Sequence, residues 1–268
     1  MKKAFLLQFL FLTIFTVAML SSCSDFQKAL KSKDHAMKFE KAKQYYEKED
    51  WFRAEALLND VMPIYRGTEQ AREMNLMYAY CQYNLGENIV AVYYFKNYSR
   101  TWSNTPETEE ADFMVVQCLY EESPRYNLDQ SNTLKAIESM QYFINMYPMS
   151  SRIDSVTVLQ GLLKKRLEKK SFFDSKQYYM LQNYKSAVIS LKNTLKDYPD
   201  TEYREEIMFL ILKSNYLLAR NSIEELRMER LQETINEYYA YIDEFPTSPR
   251  SKEAEKIYAN CVKAIKRQ

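Results

Sequence analysis

Few side chains of this sequence are placed for catalysis or metal binding. The single histidine, His35, stands beside Asp34, and no serine or cysteine is fixed near it by the sequence pattern, so a two-histidine metal site is excluded and a catalytic triad lacks its nucleophile. The three glycines are too far apart to form a phosphate-binding loop. The four cysteines include no C-x-x-C pair, which excludes zinc-ribbon and thioredoxin-type centres. We therefore predict a binding protein that is not an enzyme and uses no cofactor or metal.

Cys23 is the residue whose surroundings predict a covalent modification. A short basic head precedes an apolar stretch at residues 4–20, as in a secretory signal. The run then ends in Leu20-Ser21-Ser22-Cys23, which resembles the bacterial lipobox. This resemblance implies a lipoprotein signal peptide at residues 1–22 and a lipid on Cys23, followed by an acylated tether at residues 23–33. A transmembrane anchor is the alternative, but about 17 apolar residues are at the short limit for a span.

The residues after Cys23 and the overall charge bear on location and partners. Position 24 is Ser, and the aspartate that often retains lipoproteins in the inner membrane stands at position 25 instead. No acidic run of the kind that accompanies export to the cell surface follows. We predict a lipid-anchored protein of the outer membrane that faces the periplasm. The chain has 37 basic and 36 acidic residues, so it has no nucleic-acid footprint.

Three cysteines remain when Cys23 carries lipid, and an odd number leaves at least one of them without an intramolecular partner. Cys81 and Cys118 are 37 residues apart, the spacing of two successive repeats, so they occupy equivalent positions on neighbouring helices. Cys261 lies near the C-terminus. Two interpretations stay open, namely three buried thiols or a disulfide between Cys81 and Cys118.

The elements that carry these residues follow from an internal repeat. The repeated pattern is alanine, three residues, a large apolar residue, six residues, an aromatic, two residues, then serine or threonine, and only the last copy departs from it by having threonine for alanine. The five copies are Ala54-Leu58-Tyr65-Thr68, Ala91-Phe95-Trp102-Thr105, Ala136-Met140-Tyr147-Ser150, Ala187-Leu191-Tyr198-Thr201 and Thr234-Tyr238-Phe245-Ser248.

Each copy has the pattern of a helix, a stop and a new helix. Alanine and a bulky residue four positions later share one helical face, where the small side chain lets a neighbouring helix approach closely. The serine or threonine is placed to N-cap the following helix. The predicted helix pairs are 34–48 with 51–65, 68–85 with 88–102, 106–121 with 131–147, 151–181 with 184–198, and 201–219 with 222–245, followed by a last helix at 248–267.

These helix pairs match the tetratricopeptide pattern of small and aromatic residues, for example in Ala79, Gly86, Ala91 and Phe95. We therefore predict an all-α fold, a tetratricopeptide-like right-handed solenoid of about five helix pairs with a C-terminal capping helix. Repeats 1–3 occupy residues 34–147, and repeats 4–5 with the capping helix occupy residues 148–268. Such a fold presents surfaces for peptides or other domains.

A group of basic residues lies within the fourth repeat, at Lys164, Lys165, Arg166, Lys169 and Lys170. Five positive charges within seven residues create a local field that could meet anionic lipid or an acidic partner. An ordinary solvated helix face is the alternative. Exposed aromatic residues could also line a peptide groove.

A lipoprotein of this length built from five helix pairs resembles the BamD family, the lipoproteins of the outer-membrane β-barrel assembly (Bam) machinery. The junctions that carry the resemblance are Tyr147-Pro148-Met149-Ser150, Asp197-Tyr198-Pro199-Asp200-Thr201 and Phe245-Pro246-Thr247-Ser248-Pro249. The resemblance implies a non-enzymatic adaptor whose N-terminal repeats receive unfolded outer-membrane proteins near their C-terminal signal. It also implies that the C-terminal repeats dock on the POTRA domains of the BamA-type barrel subunit, and other Bam lipoproteins are further candidate partners.

In that family, charged residues after the Asp-Tyr-Pro-Asp-Thr junction contact the barrel subunit, and the matching residues here are Glu202, Arg204, Glu205 and Glu206. Arg204 could form a bidentate pair with a partner carboxylate, or it could be an ordinary charge of a first helical turn. Two other functions stay open. One is a periplasmic tetratricopeptide lipoprotein that scaffolds cell-envelope or cell-wall machinery. The other is a glycan-binding lipoprotein of a nutrient-uptake system, a class of proteins about twice this length.

Overall fold

The computed structural model describes residues 25–267. The predicted signal peptide at residues 1–22 and the predicted lipid-bearing Cys23 lie outside them. The described residues form twelve α-helices and no β-strand. Helix α1 occupies residues 25–31, and it is followed by α2 (His35–Glu47), α3 (Trp51–Val61), α4 (Gln70–Asn84), α5 (Asn88–Thr101), α6 (Glu107–Glu121), α7 (Ser131–Met146), α8 (Ile153–Met180), α9 (Tyr184–Asp197), α10 (Arg204–Arg220), α11 (Glu224–Glu244) and α12 (Ser251–Ile265).

The all-α, tetratricopeptide-like fold is confirmed, and each predicted helix pair is present. The first pair, predicted at 34–48 and 51–65, is formed by α2 and α3. The predicted capping helix at 248–267 is α12, which packs on both α11 and α10. Consecutive helices also pack on one another from α2 to α7 and from α9 to α12. The helices therefore assemble in chain order, as tandem pairs do.

Residues 25–31, within the expected tether, are helical and packed. The side chains of Phe26 and Ala29 are buried. The Phe26 ring meets the Tyr45 ring edge-on with centroids 6.0 Å apart, and the guanidinium of Arg53 lies 5.8 Å from its centre. A phenylalanine so close to the predicted lipid attachment therefore belongs to the core of the first helix pair.

The chain divides into two compact units, and the division falls within α8. The first unit contains the described residues up to Pro124 together with Ser131–Gln160. The second contains Arg125–Gln130 and the described residues from Gly161 onward. The expected division between residues 147 and 148 lies in the turn before α8. The residue before α8, Arg152, forms an ion pair with Glu110 of α6 in the same unit.

The repeat pattern found in the sequence marks the tightest contacts between helices. The four repeat alanines, and Thr234 in the fifth copy, are fully buried. The large apolar residues four positions later are also fully buried in the first four copies, whereas Tyr238 of the fifth is partly buried. A small side chain followed by a large one on the same face lets adjacent helices interlock. In the first four copies the large side chains are Leu58, Phe95, Met140 and Leu191.

Three of the turns within helix pairs use a residue with positive φ. Gly86 has φ +81°, Glu49 has φ +58° and Gln182 has φ +59°. In each turn the next backbone N–H donates to a carbonyl five residues earlier, for example Asn183 N–H to Tyr178 O at 2.9 Å. Glycine adopts this conformation freely, whereas a residue with a Cβ does so at a cost of about 1 kcal/mol.

The serines predicted to N-cap α8 and α12 have a different role. Both helices begin three residues later than these serines, at Ile153 and Ser251. The Ser150 hydroxyl donates to Glu109 of α6 at 2.6 Å and accepts the Arg152 N–H at 3.2 Å. The serine therefore joins its own junction to a helix two elements earlier in the chain.

The same arrangement recurs before α12 in the second unit. The Ser248 hydroxyl donates to Glu205 at 2.6 Å and accepts the Arg250 N–H at 3.0 Å. The Arg250 guanidinium then pairs with Glu205, as Arg152 pairs with Glu110. In each of these two junctions a serine forms a hydrogen bond, and an arginine two residues later forms an ion pair, with acidic residues in the first turn of a preceding helix. We name this arrangement the junction clamp.

Candidate functional site

The first unit contains a groove of about 860 Å³ between α5, α6 and α7. This volume is in the range of sites that hold small ligands or short peptide segments. The groove has an apolar wall that comes from all three helices. The apolar side chains that line it are Ile89, Val92, Val115, Leu119, Tyr142 and Met146.

Three of these apolar side chains keep at least half of their accessible surface, namely Ile89 of α5 at 58% and two side chains of α7. Tyr142 keeps 50% of its accessible surface and Met146 keeps 53%. They lie four residues apart on α7, so they share one face of that helix. A different face of α7 is used for the core through Met140 and Phe143, which are fully buried. Helix α7 therefore presents a second apolar stripe that the core does not use.

The polar lining of the groove has more cations than anions. The cations are Lys96 and Arg100 of α5 and Lys135 of α7, and the anions are Asp112 and Glu138. Asp112 already accepts a hydrogen bond from the hydroxyl of Tyr147 at 2.8 Å. An incoming carboxylate would therefore meet three positive charges, which the carboxylates of Asp112 and Glu138 oppose in part.

Tyr147 is held in its neutral form at the edge of the groove. Burial raises the pKa of its phenol, and the hydrogen bond to Asp112 and the charge of that carboxylate raise it further. The hydroxyl is thus a fixed donor to Asp112 and does not titrate in the physiological range. Tyr147 was singled out by the repeat pattern, whereas Tyr142 and Met146 were not. Their signal in the sequence is a second apolar stripe on α7, offset from the repeat residues Ala136 and Met140.

Of the four residues predicted to contact a partner, Glu202 is exposed and Arg204 is held within the chain. The Arg204 guanidinium forms a bidentate pair with Glu244, in which its Nη2 lies 3.0 Å from the carboxylate. Its Nη1 donates to the carbonyl of Pro199 at 3.1 Å. The bidentate geometry expected toward a partner carboxylate is therefore made with a residue of α11.

The other two predicted partner residues are also engaged within the chain. Glu205 accepts hydrogen bonds from the hydroxyls of Tyr241 and Ser248 and pairs with Arg250. Burial alone would raise the pKa of Glu205, but these three donors outweigh it and hold the pKa below its ordinary value. Glu206 pairs with Lys176 at 2.6 Å. The four residues thus lie together at the start of α10, and three of them join helices of the second unit.

The basic group of α8 is only partly neutralised. Lys164 and Lys165 are exposed. The Lys169 ammonium lies 4.7 Å from the centre of the Tyr126 ring, a cation–π contact. Lys170 forms an ion pair with Asp174 at 3.1 Å. The aromatic contact also explains why residues 125–130 belong to the second unit, because Tyr126 packs on Phe173 with centroids 5.3 Å apart.

The three described cysteines are free and buried, which matches the buried-thiol interpretation and not the disulfide. Burial raises the pKa of Cys81 and Cys118 to about 12 and that of Cys261 to about 11. Within residues 25–267, no three histidine, cysteine, aspartate or glutamate side chains come together as metal ligands would. The Nδ1 atom of His35 is buried there without a hydrogen-bond partner.

No helix of the described chain combines the length and the apolarity that a membrane crossing requires. Among solved structures, the tetratricopeptide-repeat domain of P58(IPK) is similar to 93% of this chain and is itself covered over 68% of its length, with 14% identity and a TM-score of 0.39. No curated protein matches the sequence. The family model described as "YfiO: Outer membrane lipoprotein" matches residues 31–231, which is most of the chain. The chain therefore belongs to the YfiO family of outer membrane lipoproteins, in agreement with the BamD-type resemblance of its sequence.

Proposed function

We propose that this protein is a non-enzymatic adaptor of the outer-membrane β-barrel assembly machinery. It is anchored through lipid on Cys23 and faces the periplasm. Its first unit receives unfolded outer-membrane proteins, and its second unit docks on the POTRA domains of a BamA-type barrel subunit. Membership of the YfiO family supports the assignment to the outer membrane. The observation that carries the adaptor role is the groove of the first unit, since its apolar wall and cationic lining suit a peptide segment.

The groove is suited to the C-terminal end of an unfolded chain. A peptide terminus combines apolar side chains with one carboxylate. Tyr142 and Met146 would contact the apolar side chains, and Lys96, Arg100 and Lys135 would attract the carboxylate. Binding of this kind requires no bond to be broken in the client. The function is therefore recognition and release, with affinity set by how the apolar and charged contacts combine.

The second unit supplies the docking surface in this proposal. Among the four residues that the sequence assigned to the partner, Glu202 keeps an exposed side chain. Arg204, Glu205 and Glu206 act indirectly, because their internal pairs fix the first turn of α10 and with it the position of Glu202. Substitution of Glu202 should then weaken docking without loss of stability, whereas substitution of Glu205 should lower both.

Affinity purification tests the adaptor role. The C-terminally tagged lipoprotein is isolated from gently solubilised membranes, and the bound proteins are identified by mass spectrometry. A stoichiometric barrel protein with POTRA domains is the expected result. Cell-wall enzymes or glycan-uptake porins in its place would contradict the proposal and would favour a scaffold of cell-wall machinery or a nutrient-uptake lipoprotein.

A peptide-binding cycle tests the groove itself. A labelled peptide with an apolar C-terminal segment is titrated with its terminus either free or amidated. Loss of a charge-assisted contact should weaken binding about tenfold, both on amidation of the peptide and in the Lys96→Gln/Arg100→Gln variant. The two losses should not add, since each removes the same interaction.

The control for that cycle is Lys41→Gln/Lys48→Gln, which removes the same charge from residues outside the groove. This control should bind both peptides like the unsubstituted protein. Additive losses, or an equal loss in the control, would show that the cations of the groove do not contact the peptide carboxylate.

A further inference from the structure

The hairpin formed by α8 and α9 in the second unit concentrates positive charge. Residues 161–196 contain nine lysines and arginines but only two acidic residues, although the whole chain has nearly equal numbers of basic and acidic residues. Such a local excess produces a positive potential that extends over about one Debye length, roughly 8 Å at physiological salt. We name residues 161–196 the basic hairpin.

Acidic partners engage only some of these cations, and two of the pairs reach residues outside the hairpin, Lys176 with Glu206 and Lys192 with Glu237. Glu168 accepts hydrogen bonds from the Thr201 hydroxyl at 2.5 Å and from the Glu202 N–H at 3.3 Å. Asp174 is occupied by Lys170. In contrast, Lys185 and Lys196 on α9 are exposed and form no ion pair with another described residue. The positive charge is thus directed toward solvent.

The tip of the basic hairpin is apolar. Met180 and Leu181 keep 69% and 68% of their accessible surface at the turn between the two helices. Gln182 follows with φ +59°, a conformation that a residue with a side chain adopts at some cost. The turn is closed by backbone hydrogen bonds, in which Gln182 N–H donates to Tyr179 O at 3.0 Å and Asn183 N–H donates to Tyr178 O at 2.9 Å. Two large apolar side chains are therefore exposed at a hydrogen-bonded turn.

Helix α9 also combines lysines with a large apolar side chain along its exposed face. Ile189 keeps 54% of its surface, and it lies four residues after Lys185 and three before Lys192, so these three residues share one face of α9. The opposite face of α9 is buried through Ala187 and Leu191. An exposed stripe in which lysines flank a large apolar residue fits a surface that carries negative charges and has an apolar layer beneath them.

We propose that the basic hairpin binds the anionic phospholipid surface of the membrane. Lysines near a bilayer are attracted to anionic headgroups, and their long stems place the ammonium groups at that level while apolar side chains enter below it. An exposed apolar tip flanked by lysines suits a bilayer better than it suits a folded protein, which would need a matching cavity. The chain belongs to a family of outer membrane lipoproteins, so a phospholipid surface is present where such proteins are located.

Vesicle binding tests this assignment independently of the proposed assembly role. The mature chain is prepared as residues 24–268, which lacks both the apolar signal segment and the acylation site and keeps all described residues. It is mixed with phosphatidylcholine vesicles that either contain or lack phosphatidylglycerol. We expect binding only to the anionic vesicles, weakened by added salt, and reduced about tenfold by Lys185→Gln/Lys196→Gln. Met180→Ser/Leu181→Ser should also reduce it, because the apolar tip no longer enters the bilayer.

The matched control is Lys252→Gln/Lys256→Gln, which removes two exposed lysines from α12. It should bind anionic vesicles like the parent chain. An equal loss in this control, or equal binding to both kinds of vesicle, would overturn the proposal. Failure to bind vesicles combined with binding to polyglutamate would also overturn it, and it would identify an acidic polypeptide as the ligand of the basic hairpin.

Discussion

Replacement of Glu205 by glutamine should selectively weaken the second unit. The carboxylate of Glu205 is the centre of the junction clamp before α12, where it accepts hydrogen bonds from Tyr241 and Ser248 and pairs with Arg250. Tyr241 is fully buried, and its hydroxyl needs an acceptor. Glutamine preserves the shape of the side chain but removes its charge, and it places an amide where an acceptor oxygen stood.

The expected cost follows from the kind of bonds that are changed. Hydrogen bonds to a charged group contribute about 1.5–3 kcal/mol, whereas neutral ones contribute about 1 kcal/mol. Three donors converge on Glu205, but the exposed side of Arg250 is screened by water. We therefore expect a loss of about 2 kcal/mol in the free energy of unfolding. This corresponds to a decrease of about 5 °C in the melting temperature.

The loss of stability caused by Glu205→Gln should be larger at neutral pH than at acidic pH. The pKa of Glu205 is lower in the folded state than in the unfolded chain, so its contribution is complete above the unfolded pKa of about 4.3. That contribution disappears as the pH falls through the lower, folded value. The difference in stability between the parent protein and Glu205→Gln should therefore be largest near neutral pH and should shrink under acidic conditions.

Urea denaturation followed by circular dichroism measures this difference. The control is Glu202→Gln, which removes a carboxylate three residues earlier from an exposed side chain and should change stability by less than about 0.5 kcal/mol. The reasoning is refuted if both substitutions cost the same, or if the cost of Glu205→Gln is unchanged in acid.

Three further substitutions or treatments probe the backbone and the core. Gln182→Gly should raise the free energy of unfolding by about 0.5–1 kcal/mol, since glycine relieves the positive φ of the α8–α9 turn; a decrease in urea denaturation would contradict this. Gly161→Ala should stabilise α8 by a similar amount, because the added methyl group would meet no atom within 4 Å, and an unchanged or lower melting temperature would show otherwise. Cys81, Cys118 and Cys261 should react with a thiol reagent at pH 8 only after denaturant is added, as burial raises their pKa values to about 11–12; rapid labelling of the folded protein would show that these thiols are accessible.

The helices were predictable because their signals are local. The buried alanines such as Ala54 and Ala187 repeat at fixed distances from the aromatic that ends each helix, and these spacings predicted every pair to within a few residues. Helix ends were harder to predict. Ser150 resembles an N-cap in the sequence, but its partner Glu109 is 41 residues away, and a local pattern contains no information about such a contact.

The candidate sites depended even more on contacts distant in sequence. The sequence placed Arg204 at the start of a helix but could not reveal that Glu244, 40 residues later, would hold its guanidinium. The groove was not predicted residue by residue, because its apolar wall comes from three helices and becomes a surface only after they pack. The basic group of α8 was visible in the sequence, whereas the apolar tip at Met180 and Leu181 resembled ordinary core residues.

The junction clamp also bears on how a protein of this kind can change its length. Each clamp joins one inter-repeat segment to the helix that begins the preceding repeat, as Ser150 and Arg152 join to Glu109 and Glu110. The serine and arginine donors therefore come from the segment that follows the repeat whose acidic residues accept them, and Glu110 also accepts a hydrogen bond from Tyr80 of an earlier repeat. A duplicated helix pair would bring its own serine, arginine and acidic residues and could use them at both ends. The fold can thus gain or lose whole repeats during evolution without new linking chemistry.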